Sequence, residues 1–429
     1  MNVGMQRGLP LAMLVLYYRT QLADHGKFCF YFSLAVWLPQ RLPNALFLQV
    51  HLLVTDFEHF KDYASTVLKA KAFDTESGKE SAHLFRVSLE TTQGHINWTN
   101  GAKNAQGEIF QLTPGFLDIY QPNAFADRHN GKFIIAMHSA LFVAITEFTM
   151  FCFAQSEFFP DIGDATKETS PTPINDRPPG LWLIDFTSTG GRVNDDHSAR
   201  LIPKCTYRYH MSIYLALLMA RFVWMHELAH CFNGHVGIIK EQGTAIRLYE
   251  TQDPQMLVGF SRSAHKAANI SKRLHCLELD ADRSALSSCM RIQIDDNLEN
   301  IAGISEMDKP TRQRLMLFGS YAMTWLFEEF QIYSNAQGGE THPLPYLRLH
   351  GLMQTSAEVF PAHIKDFAAM DAEVCSQFDF IRRSVPGFYE SKSVMEDRTR
   401  SEILDELGEL SEFFQGMLLD LEPLQFSQT

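Results

Sequence analysis

Apolar side chains run almost without interruption through residues 211–225, MSIYLALLMARFVWM, with no Gly or Pro among them. A helix that is apolar all round belongs inside a protein, so this segment predicts a buried central helix. Residues 133–154, FIIAMHSALFVAITEFTMFCFA, are long enough to span a bilayer, yet His138, Thr146, Glu147 and Thr149 interrupt them. A β-rich start running into a buried helix from about Ser139 fits that pattern better than a membrane span. Downstream, Leu315, Phe318, Ala322, Trp325, Leu326 and Ile332 suggest a further buried helix. Ile403, Leu404, Leu407, Leu410, Phe414, Met417 and Leu418 recur at helical spacing with Asp and Glu between them, which predicts an amphipathic helix that docks on the protein's own core. Residues 28–70 read as apolar strand-like stretches around Pro39 and Pro43, leading to a helix near 57–72. The polar stretch 74–107 reads as turns and a loop-rich hairpin. Pro, Gly, Ser, Thr and Asp concentrate from Phe159 to about Arg192, which predicts a loop or insert. Many helices with few strands make the fold class α+β, mostly helical.

Composition narrows the function classes. With 429 residues, 45% of them hydrophobic and 12% aromatic, the chain has ample material for a large core and room for two domains. Fifty acidic against 37 basic residues give a net charge of −13 without any Lys/Arg cluster, which argues against nucleic acid or an anionic membrane as partner. Seven cysteines, at 29, 152, 205, 231, 276, 289 and 375, form no Cys-x-x-Cys pair, and an odd, scattered set predicts reduced thiols in the cytoplasm. The first residues offer a short apolar run without a clear small-residue cleavage site, so no export signal is read there. Neither a Gly-rich phosphate loop nor Gly-x-Ser-x-Gly is present, which leaves nucleotide and serine-hydrolase readings without a motif.

The candidate chemistry sits at the end of the apolar helix, in His226-Glu227-Leu228-Ala229-His230. Residues four apart share a helix face, so both imidazoles can reach one zinc ion. Glu227, one position on, lies beside the water that the metal acidifies and takes its proton. Catalytic zinc uses three protein ligands and keeps a fourth position for water, so one ligand must come from elsewhere. Candidates are His235, Glu241, Glu278, Asp280 and Asp282. The metzincin pattern fails, because it needs glycine and histidine where Asn233 and Val236 stand. The run 277–286, LELDADRSAL, is helix-compatible and sets Glu278 and Asp282 one turn apart. One of them can bind metal while the other accepts the free N–H of a ligand histidine. We take Glu278 as the third ligand, and expect Asp280 to be dispensable for zinc binding.

The Glu-x-x-Ala-Asp element at 278–282, downstream of His-Glu-x-x-His, resembles that of the gluzincin metallopeptidases of the HtpX and CAAX-prenyl-endoprotease type, and of soluble phage-exclusion peptidases of the Lit type. Pro122-Asn123-Ala124-Phe125-Ala126, followed by residues 131–137, is similar to the family's Asn-Ala-Phe-Ala segment and edge strand. Thr341-His342-Pro343-Leu344-Pro345-Tyr346-Leu347-Arg348 is similar to its Thr-His-Pro-x-x-x-x-Arg element. The likeness covers residues 122–350, about half the chain. It implies a zincin-like catalytic core with a small sheet whose edge strand lines the active-site cleft. Zn2+ would be held by His226, His230 and Glu278, with Glu227 as general base and Asp282 and His235 behind the ligands. His342 with Arg348, or Tyr346 instead, would stand near the developing oxyanion. Asn123, Ala124, Phe125, Phe133, Ile134 and Ile135 would bind a peptide as an added strand. Two departures from the family stand out: Asp280 occupies a position where Glu is common, and a long insert precedes the zinc helix.

The chain then divides into an N-terminal α/β region (1–104) that matches nothing in the family, the edge strand and buried helix (105–158), the Pro-rich insert (159–205), the helical zinc-binding region (206–393) and the C-terminal amphipathic helix (394–429). The implied function is a zinc-dependent endopeptidase acting on a protein or peptide. The alternatives are a non-catalytic, zinc-stabilised interaction module, and a toxin or phage-defence peptidase that cleaves one host protein.

Overall fold

The computed structural model describes residues 50–77, 80–172, 179–180, 201–241, 248–249, 264–295, 299, 307–333, 343, 345–385 and 400–428. In chain order these form α1 (Val50–Thr66), α2 (Glu80–Glu90), α3 (Gln93–Thr99), β1 (Leu112–Leu117), β2 (Ala124–His129), β3 (Lys132–His138) and α4 (Ser139–Ala154). After the insert come α5 (Thr206–Phe232), α6 (His235–Glu241), β4 (Leu248–Tyr249), α7 (Ala264–Ile294), α8 (Lys309–Tyr333), α9 (Pro345–Val359), α10 (Phe367–Arg383) and α11 (Arg400–Leu421). The class is α+β and mostly helical, as the sequence predicts.

Asn130 (φ 48°) and Gly131 (φ 82°) turn β2 into β3. Both positions need a positive φ, which Asn and Gly adopt at least cost, and the result is a tight antiparallel hairpin. β3 also pairs in parallel with β1, while β4 pairs only Phe125 and Ala126 of β2, so the strand order is β1-β3-β2-β4. The expected edge strand is corrected here: residues 133–135 lie in the interior of the sheet, between β1 and β2. Phe133, Ile135 and Met137 of β3 enter the main core, and Ile134 and Ala136 enter a second cluster with Phe60, Tyr63 and Ala64 of α1. A strand covered on both faces must be apolar at every position, which explains the unbroken run Phe133-Ile134-Ile135-Ala136-Met137. On the side of the sheet away from β1, β4 covers only Phe125 and Ala126 of β2, which continues past it and turns polar at Asp127-Arg128-His129. Gly115 of β1 lets α1 close on the sheet, since a Cβ there would lie 2.5 Å from the Phe60 ring.

α5 is the axis of the core, with α4, α7 and α8 packed around it. It is long and apolar enough to cross a membrane, yet 94% of its apolar window is buried by the protein itself. Residues 133–154 are β3 and α4, and the helix begins at Ser139 as expected. His138, at their junction, lies with Nδ1 2.7 Å from the Gln121 carbonyl. Burial, partly offset by that bond, lowers its pKa to about 4.

Two expectations change. α1 begins at Val50 and stops at Thr66, short of the boundary near 72, and residues 28–49 lie outside the described residues. The stretch read as a loop-rich hairpin contains two helices, α2 and α3. Ala82, Phe85 and Ser88 of α2 share one buried face, and Ser88 counts as polar in any pattern. Its hydroxyl accepts from Trp224 Nε1 at 3.2 Å, a partner 136 residues away that no local window contains. In the insert, residues 159–172 are fastened to the start of α5. There the buried Arg208 guanidinium donates to the carbonyls of Phe153, Gln155, Phe158, Phe159 and Ile162 at 2.8–3.1 Å. One apolar cluster draws on all five sequence segments, through Leu84, Phe142, Phe159, Leu217 and Leu407 among others. α11 docks on α7 and α9, burying Ile403, Leu407, Leu410 and Met417 and leaving Leu404 half-exposed.

Candidate metal centre

The last two turns of α5 carry His226, Glu227 and His230, and α7 crosses them with Glu278 turned toward the histidines. His226 Nε2 lies 2.9 Å from His230 Nε2; Glu278 comes within 3.2 Å of the first through Oε2 and within 3.4 Å of the second through Oε1. One ligand atom from each of the three buried residues falls within 4.8 Å of the others. Two imidazole nitrogens and a carboxylate oxygen turned to one point are the donor set of a divalent-cation site, and the group can hold a metal ion. Burial drives the His230 pKa down to about 3 against the opposing pull of Glu278, which leaves the neutral ring that metal binding requires.

Helix termination shapes the layer behind the ligands. Asn233 caps α5, and Gly234, at φ 85°, takes the left-handed position that ends it. The chain reverses there, so His235 at the start of α6 comes back to His230, Nδ1 to Nδ1 at 3.0 Å. His235 Nε2 in turn lies 3.2 Å from Asp280 Oδ2, and Asn233 donates to that oxygen at 2.8 Å and to Ser284 Oγ at 3.0 Å. Burial raises the Asp280 carboxyl pKa, but His235 and Asn233 outweigh it and hold the group below its ordinary value. On the other ligand, His226 Nδ1 lies 2.9 Å from Asp282 Oδ1. Arg348 donates to both Asp282 oxygens, from Nε at 2.8 Å and Nη2 at 2.7 Å. Burial again pushes this carboxyl up, and the Arg348 guanidinium and His226 ring more than reverse it.

The structure thus brings His226, Glu227, His230, His235, Glu278, Asp282 and Arg348 together. His235 lies beside His230 and Asp282 beside His226. Arg348, expected near an oxyanion, instead grips Asp282 while its guanidinium centre lies 5.2 Å from the middle of the Phe327 ring; it faces the Nδ1 side of His226, away from Nε2. A buried carboxylate needs a cation, and Asp282 takes this one. Tyr346, on the same helix, donates its hydroxyl to Glu406 of α11 at 3.5 Å, and His342 lies outside the described residues. Asn123, Ala124, Phe125, Phe133, Ile134 and Ile135 are each 5% exposed or less, so their side chains serve the core. Asp280, weighed as a ligand and set aside, stands instead beside His235, while Asn233 and Ser284 escape the sequence reading as participants. The available signals are Asn233 at a helix terminus and Asp280 with Ser284 one turn apart. No family model, curated protein or solved structure matches the chain.

Proposed function

We propose that the chain is a zinc-dependent endopeptidase of gluzincin type, with a protein or peptide as substrate and His226, His230 and Glu278 as ligands. The observation that carries this reading is the convergence of those three donors, two from the stretch of α5 that also carries the buried Glu227 and one from α7. A zinc ion bound there would supply Lewis acidity and bring the pKa of a water to about 7. Glu227 then accepts the proton of the attacking water and passes it to the leaving amine. Asp282, gripped by Arg348, keeps the His226 ring turned with Nε2 inward. His342 would donate to the developing oxyanion, or Tyr346 on giving up its bond to Glu406, and a peptide would add to β2 beyond the two residues that β4 pairs, along Asp127-Arg128-His129, on a strand that packs on α5 and α6.

One observation favours a second reading. His226, Glu227, His230 and Glu278 are all 1% exposed or less, which suits a zinc-stabilised module whose function is binding rather than turnover. Zinc content and cleavage measured together separate the two. The parent protein should carry zinc and cleave a denatured test protein in a chelator-sensitive way. Glu227→Gln should keep the zinc and the fold while losing at least about 10²-fold in turnover, the lower end of the effect of removing a general base. Parental cleavage by Glu227→Gln would sink the mechanism. Zinc without cleavage across a broad protein panel would leave the module.

A further inference from the structure

We infer that Asp280 is a positioning residue for the metal centre: acting through His235, it fixes the tautomer of His230 and so keeps His230 Nε2 available to the ion. This role rests on the zinc-site reading proposed for His226, His230 and Glu278, and extends it to residues outside the ligand set.

Donors and acceptors must balance around the two rings. His230 Nε2 is the atom grouped with His226 and Glu278, so a neutral His230 that offers its Nε2 lone pair carries its hydrogen on Nδ1. That Nδ1 faces neither a carboxylate nor a carbonyl but a second imidazole nitrogen, His235 Nδ1, at 3.0 Å. Two ring nitrogens at that distance need one donor and one acceptor. With His230 donating, His235 must present a lone pair on Nδ1 and therefore carry its own hydrogen on Nε2. The group beside Nε2 is Asp280 Oδ2, in ion-pair reach at 3.2 Å although not aligned as a hydrogen bond in this structure, and an ionised carboxylate can only accept. Asn233 also donates to Asp280 Oδ2, and it caps the helix that carries His230, so the relay closes on the element it serves.

The two ligand histidines are held differently. His226 meets its carboxylate directly, and Asp282 leaves it one choice of hydrogen position. His230 is reached through an imidazole, which has two neutral tautomers. Without Asp280 the second tautomer becomes available, and it sets an N–H of His235 against the N–H of His230. His230 must then rotate or move its hydrogen to Nε2, and either change spoils it as a ligand.

The test uses the full chain, a chromophoric chelator competing for zinc, and nitrogen NMR of 15N-histidine-labelled protein. Contrary to the dispensability expected from the sequence, Asp280→Ala should weaken zinc binding roughly 10- to 100-fold, the usual effect of removing a group behind a ligand. Asp280→Asn, whose amide oxygen can accept from His235 Nε2, should recover most of it. In the zinc-loaded parent, His235 should show its hydrogen on Nε2, and Asp280→Ala should lose that signature. A purely structural role would lower the melting temperature of both variants without the tautomer change or the rescue by Asn. Parental zinc affinity in Asp280→Ala, or a hydrogen on His235 Nδ1 in the loaded parent, overturns the inference. Should Asp280→Ala fail to fold, the Asn variant and the tautomer in the parent decide. A parent that takes up no zinc refutes the proposed function instead, and the His235 tautomer then still reports on the link to Asp280.

Discussion

His226 and His230 need only a helix to stand side by side, and so their pairing is legible in five consecutive residues. The groups that hold them are not, because Arg348 and Asp280 reach the centre through contacts that depend on where α9 and α7 lie. The same holds for Glu329 of α8, an acid with no motif around it that the structure buries to 7% exposure beside Trp325, whose Nε1 donates to it at 3.1 Å. Burial, with Glu328 adding to it, raises the Glu329 pKa from 4.5 to about 8. Between those values the native protein keeps a proton that the unfolded chain releases. The stabilisation from that proton is therefore complete below the unfolded pKa and is lost as pH rises through about 8. Glu329→Gln should remove this slope, so that urea unfolding measured across the window shows the variant gaining on the parent as pH rises. Parallel curves for the two proteins would mean that Glu329 is ionised in the native state.

Elements are legible where one face or all faces are apolar over several turns, as in α4, α5 and α11. They escape a sequence pattern where burial is narrow or depends on a distant partner, as in α2, whose Ser88 faces Trp224. For β3 the pattern predicts the element but not its place in the sheet, because a continuous apolar run only becomes a central strand once α1 covers the second face. The insert carries its own prediction at this scale. Arg208 satisfies five carbonyls of residues 153–162 in a site closed to water, with Glu168 at 3.7 Å as its counter-charge. Arg208→Met removes every one of those donors and strands the acceptors. It should cost about 3–5 kcal/mol in urea unfolding, as loss of one partner from a buried charged network does. Amide exchange in residues 155–168 should accelerate more than elsewhere. Unchanged exchange there would show that the aromatic packing of Phe158 and Phe159 holds the loop by itself.

The whole molecule is tied together at the helix end behind the candidate metal centre. Phe426 N–H donates to the Phe232 carbonyl at 3.0 Å, Ser427 exchanges backbone hydrogen bonds with Lys103, and Leu424 packs on Gly234 and Gly237. A Cβ at Gly234 would meet Leu424 at 2.8 Å, and its φ of 85° already disfavours any side chain. Gly234→Ala should therefore destabilise the protein by roughly 1–3 kcal/mol, the cost of holding a non-glycine residue in the left-handed region. Gly94→Ala, with nothing within 4 Å of its Cβ, serves as the control that should not. Equal unfolding midpoints for the two variants would count against this role of Gly234. Periodicity along the chain is enough to dictate the buried axis helix, the paired histidines with Glu227 between them, and a second helix bearing Glu278, Asp280 and Asp282. Packing alone settles which acid faces the histidines, which acids orient them and which strand is central. Those outcomes depend on how α5 crosses α7 and on the elements that cover each face of the sheet, and neither is a property of neighbouring residues.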